Sequence, residues 1–108
     1  MTDQQRYGVG AAIESINAVG TDIAGGGADE VYTFTRAVAY CKIHLKTAGG
    51  QALYVKWNAD AASATDWDEA VAAGATIVNP PGIHVQKVAI YSAGAYTKDT
   101  HFTVRGYV

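Results

Sequence analysis

The chain has 108 residues, 49% of them apolar and 17% charged, about one domain's worth of sequence and too apolar for intrinsic disorder. Eight Lys and Arg against ten Asp and Glu leave a net charge of −2, a field that does nothing to attract a polyanion, so no nucleic-acid partner is expected. The single cysteine, Cys41, has no internal partner for a disulfide.

At the N-terminus, Met1–Arg6 is polar and precedes no apolar signal core. No run reaches the 18 apolar residues of a membrane helix, so a non-secreted chain without membrane contact is expected. Val9, Ile13 and Ile16 fall at i, i+4 and i+7, with Gly20 placed as a C-terminal cap, and predict an amphipathic helix. Gly8 and Gly10 oppose it at about 1 kcal/mol each, and an extended arm accounts for the same residues. Gly25-Gly26-Gly27 leaves the backbone too free for a helix or central strand. The expected organisation is therefore an arm and hinge over 1–27 and a domain over 28–108. Tyr7, Val9, Ile13, Ile16, Val19 and Ile23 give the arm more apolar surface than it can leave in water. It is expected to order against a neighbouring copy or another protein and to be dispensable for folding.

From Val31 the period changes to two. Val31-Tyr32-Thr33-Phe34-Thr35 is β-branched and aromatic, and in Ala37–Lys46 the residues Ala39, Cys41, Ile43 and Leu45 face one way while Tyr40, Lys42, His44 and Lys46 face the other. After a turn at Ala48–Gln51, Leu53, Val55 and Trp57 alternate with Tyr54 and Lys56. The two runs are expected to pair as a hairpin. Ala59–Thr65 is small and polar, a surface loop. Asp66, Asp68 and the Ala-rich stretch to Gly74 predict a short helical turn with an acidic first turn.

Ala75–Val78 is a further strand, ended by Asn79-Pro80-Pro81-Gly82 because proline cannot donate to a ladder. In Ile83–Tyr91 the apolar phase shifts between Val85 and Val88, which implies a bulge or burial on both faces. Phe102, Val104, Gly106 and Val108 alternate through a last strand. Short strands at such spacing predict an all-β fold, a small antiparallel β-sandwich, jelly-roll-like, carrying an N-terminal arm.

No constellation marks catalysis. Cys41 and His44 lie on opposite faces of one strand, and His84 and His101 are far away in sequence, so no metal site is expected. Asp60, Asp66, Asp68 and Glu69 lack the spacing of a calcium loop. The triglycine lacks the Gly-Lys-Ser/Thr of a phosphate loop, and Ser15, Ser63 and Ser92 have no nucleophile frame. No catalytic residue and no cofactor are expected. The aromatic residues are in surplus for so small a core, and Tyr40, Tyr54, Trp67 and Tyr96 are candidate interface residues.

Leu53-Tyr54-Val55-Lys56-Trp57-Asn58, Ala62-Ser63, Ala73-Gly74, Val78-Asn79-Pro80-Pro81-Gly82 and Phe102-Thr103-Val104-Arg105-Gly106 together resemble small virion proteins of tailed bacteriophages, of the capsid decoration (cement) type. The likeness spans about residues 31–108. It implies a structural, non-enzymatic protein on the capsid surface of the virion, assembled in the host cytoplasm. Its expected partners are the major capsid protein and further copies of itself, a trimer being the favoured oligomer. The competing expectation is a tail or fibre module that recognises host carbohydrate through Trp57, Trp67 or the tyrosines.

Overall fold

The structure, a computed structural model, describes residues 15–25, 27–46 and 51–108. Tyr7, Val9 and Ile13 lie outside the described residues, as does most of the helix expected from them. Among the described residues there are eight strands: β1 (Ser15–Asn17), β2 (Ala28–Val38), β3 (Tyr40–Leu45), β4 (Leu53–Trp57), β5 (Glu69–Val71), β6 (Thr76–Val78), β7 (Val85–Ser92) and β8 (Phe102–Tyr107).

They form two antiparallel four-stranded sheets, ordered β1-β8-β3-β6 and β2-β7-β4-β5. The pairing has a simple rule. The first strand pairs with the last, the second with the next to last, and so on inward to β4 with β5. Two further pairings, β8 with β3 and β7 with β4, close each sheet. A long antiparallel hairpin rolled up in this way is a jelly roll, the sandwich that the alternating pattern predicts.

The expected hairpin of β3 with β4 does not form. β3 pairs with β6 and β8 in the first sheet, and β4 with β5 and β7 in the second. Alternation settles which side of a strand faces the core but not which strand lies beside it. Cys41, Ile43 and Leu45 on β3, and Leu53 and Val55 on β4, are fully buried, and their apolar faces meet across the core.

The helical turn expected over 65–74 is also absent. Glu69–Val71 is strand β5, its Leu53↔Val71 and Tyr54↔Ala70 pairs completing the ladder of β4. Asp66 and Asp68 are not a helix's acidic first turn. Asp66 accepts from Lys56 Nζ at 2.6 Å, and Asp68 Oδ2 accepts the backbone N–H of Trp57 at 3.0 Å.

The shift of apolar phase near Val85 has two sources. The ladder of β2 and β7 is irregular between Thr33 and Val38 on the facing strand. Val88, Ala89 and Ile90 are all buried, so β7 is covered on both faces. Its outer cover is the loop 58–68, in which Ala62 is buried and donates its N–H to Asp29 Oδ2 at 3.0 Å.

Residues 15–23 belong to the sandwich, which corrects the boundary expected at residue 27. β1 pairs with β8, Val19 exchanges two backbone hydrogen bonds with Thr33, and Ile23 exchanges two with Tyr96. Ala18 and Ile23 are in the core, and Ile16 packs against it. These side chains find apolar partners within their own chain. Gly20 is not a helix cap; a Cβ there would stand 2.3 Å from the Tyr32 ring. Tyr32 fills that space and donates its hydroxyl to Thr21 O at 2.7 Å.

Candidate interaction surface

The sharpest surface feature lies where β6 ends. Pro80 stops the ladder, Gly82 takes a left-handed φ of 84°, and the N–H of Ile83 closes the turn on Pro80 O at 3.3 Å. Asn79 anchors this turn. It is buried, its Oδ1 accepts the Cys41 N–H at 2.8 Å, and its Nδ2 donates to Ala39 O at 3.0 Å and to Ile83 O. The turn and the start of β3 enclose a groove of about 370 Å³, lined by Ala39, Tyr40, Val78, Pro80, Ile83 and His84 among others. Around it stand three exposed apolar side chains: Tyr40 at 62%, Val78 at 47% and Ile83 at 43% exposure.

A second feature covers the outer face of the other sheet. Tyr54 packs against Trp67 with ring centroids 5.2 Å apart and against Tyr91 at 6.0 Å, giving a row of three rings. The Trp67 indole is oriented by its Nε1–H bond to Ala64 O at 3.1 Å. Lys56 to Asp66, Lys87 to Asp60 and the Asn58 side chain to Gln86 N and His84 O hold the loop beneath it.

The candidate residues are thus separated. Tyr40 is on the first sheet at the groove, and Tyr54 and Trp67 share the aromatic row. Tyr96 is a core residue, 4% exposed, whose hydroxyl donates to Gln51 O at 2.5 Å. Burial removes it from any interface. Of the arm residues within the described part, Ile16 and Ile23 are packed internally, which takes them out of the interface expected for them, and Val19 is exposed. Trp57 is half-buried against the core, with its Nε1 buried and without a hydrogen-bond partner among the described residues. Val78 and Ile83 were absent from the expected set. Their signal was the Pro-Pro-Gly turn between them, which ends the strand at Val78 before Ile83 is reached.

The titratable groups with clear perturbations serve structure. Burial pushes the Cys41 thiol up to about 12 and the Tyr32 hydroxyl upward as well. The hydrogen bond from Lys98 lowers Asp99 below the usual carboxylate range. His101 Nδ1 accepts the Thr97 N–H at 2.9 Å, and His44 Nδ1 lies 2.8 Å from Thr76 Oγ1. Among the described residues no three His, Cys, Asp or Glu side chains are grouped to hold a metal ion. No protein-family model, curated protein or solved structure matches the chain.

Proposed function

We propose that this protein is a non-enzymatic structural subunit of a tailed-phage virion, one that decorates and stabilises the capsid shell. The observation that carries the proposal is the clustering of Tyr40, Val78 and Ile83 around a groove already formed in the single chain. An exposed apolar patch rimmed by polar residues is the mark of a protein contact. The groove's floor is fixed by three Asn79 side-chain hydrogen bonds, so little conformational freedom is lost when it is filled. The virion setting comes from the motif resemblance. The jelly roll, an architecture used by viral capsid and lectin domains alike, agrees with it by analogy of fold.

In this reading the groove takes apolar side chains of the major capsid protein, each removing apolar area from water at about 25 cal/mol per Å². Because the assembled shell is bound and the free subunit is not, the shell gains stability by mass action. Particles lacking the protein should lose integrity at lower temperature than complete ones and should resist low ionic strength less well. Equal resistance of the two would overturn the proposal.

The row of Tyr54, Trp67 and Tyr91 favours a second reading, carbohydrate recognition by ring stacking. A glycan array with specific binding that Trp67→Ala abolishes in a folded protein would support it over shell decoration.

A further inference from the structure

The edges of the two sheets are not equally guarded. The outer side of β2 is covered where Val19 exchanges two backbone hydrogen bonds with Thr33. The edge strand β5 carries Glu69 and follows Asp68, and charge at an edge deters pairing. β6 closes the first sheet with Thr76, Ile77 and Val78, none of them charged, directly beside the groove.

The ladder decides which backbone groups of β6 are already bonded. Ala75 O accepts the Leu45 N–H, and the Asn79 N–H donates to Cys41 O. Residues 75 and 79 therefore point at β3, and by alternation so does Ile77, which pairs with Ile43. Thr76 and Val78 direct their N–H and C=O groups the other way, where among the described residues neither has a backbone partner. Pro80 takes the next outward position. It has no N–H to offer and its carbonyl accepts from Ile83, so the open edge is limited to two donors and two acceptors.

The side chains around this edge suit an apolar segment with an acidic residue. Val78 is exposed at the groove, and Ile77 is half-buried against the core. Lys42, the register partner of Val78, is exposed and has no carboxylate at ion-pair distance among the described residues. No acidic residue lines the groove.

We infer that the occupant of the groove is an extended segment of the shell protein, which adds to the first sheet as a fifth strand along β6. Its backbone pairs with Thr76 and Val78, an apolar side chain opposite Val78 enters the groove, and a carboxylate faces Lys42. In strand addition the main chain supplies affinity and the alternate side chains supply specificity. The two-residue edge limits pairing with other chains. The inference rests on the reading of the groove as the shell contact and states how that contact is made.

Amide hydrogen exchange and co-sedimentation with particles that lack the protein test it. In the free protein the Thr76 and Val78 amides should exchange fast and the Ile77 amide slowly. On particles the first two should slow by more than about tenfold. Thr76→Pro removes one outward N–H at an edge position that tolerates proline, and should weaken particle binding by about tenfold. His44→Ala, which loses the same 2.8 Å contact between His44 Nδ1 and Thr76 Oγ1, should bind as the wild type does. Lys42→Glu should weaken binding at low salt, and the difference from wild type should shrink as salt is added. Wild-type binding with the Thr76 and Val78 amides unprotected, or with full affinity retained by Thr76→Pro or Lys42→Glu, would overturn the inference and leave the groove reading standing. So would a loss in His44→Ala equal to that in Thr76→Pro. A wild type that does not bind the particles overturns the groove reading itself, and strand addition with it.

Discussion

Asn79 stands opposite Cys41 as a strand residue would, but with its side chain completing the ladder. Its backbone N–H donates to Cys41 O at 3.2 Å, and its Oδ1 accepts the Cys41 N–H at 2.8 Å. An amide with both a donor and an acceptor lets β6 end at Pro80 without leaving the start of β3 unpaired.

Replacing Asn79 by Leu therefore leaves the Cys41 N–H and the Ala39 and Ile83 carbonyls short of partners. Urea unfolding should show a loss of about 2–3 kcal/mol. Asn79→Asp should cost at least as much at neutral pH, because it keeps the acceptor for Cys41 but sets a buried carboxylate oxygen against the Ala39 and Ile83 carbonyls.

Gly106 is set by packing. A Cβ there would lie 2.5 Å from Val38 Cγ1 and 2.9 Å from Phe34 Cε1, in the middle of the core. Gly106→Ala should cost about 1–3 kcal/mol through overpacking. Gly106→Ala combined with Val38→Ala should recover part of that loss, which a thermal melt of the double variant would detect.

Ile23 is 1% exposed and bonded through its backbone to Tyr96. Ile23→Ala should destabilise by about 2–5 kcal/mol. Deletion through residue 24, expected from the sequence to spare the sandwich, should instead abolish cooperative unfolding, because it removes β1 and a core side chain together.

The Cys41 thiol is held neutral by burial up to about 12, against an ordinary value of 9.0. Its neutral form is favoured in the folded state, so the corresponding stability is complete below about 9 and is lost as pH rises from there through about 12. Tyr32, shifted upward by burial first and by Glu30 next, adds to the same alkaline loss. At neutral pH a thiol reagent should react with Cys41 only at the rate of unfolding, and Cys41→Ala should flatten the alkaline limb of the stability profile.

Much of the fold was legible because alternation reports burial directly. Cys41, Ile43 and Leu45, or Phe102 and Val104, could face only a core. Strand neighbours were not legible, since β3 and β4 carry equally apolar faces whether they share a sheet or oppose each other. Residues 15–23 misled for a related reason. The Gly25–Gly27 run reads as a hinge, yet Ile23 and Tyr96 meet through contacts no local pattern announces. At the surface, alternation placed Tyr40 and Tyr54 outward. Tyr96 lies outside any strand, so no alternation marks it, and its place in the core appears only in the fold, where it pairs with Ile23. Val78 and Ile83 escaped notice because an apolar residue in a strand or beside a turn is ordinarily assigned to the core.

The most direct measurement is the occupancy of wild-type protein and of a Val78→Glu, Ile83→Glu double variant on particles that lack the protein, read by co-sedimentation. Both residues are exposed, so the variant should fold as the wild type does. If the groove holds the shell, wild type should saturate the particles and restore their resistance to heat, while the variant should be lost from them by more than about a hundredfold in affinity, as expected when charges are forced into an apolar contact. Equal occupancy of the two proteins, or failure of the wild type to bind particles at all, would contradict it.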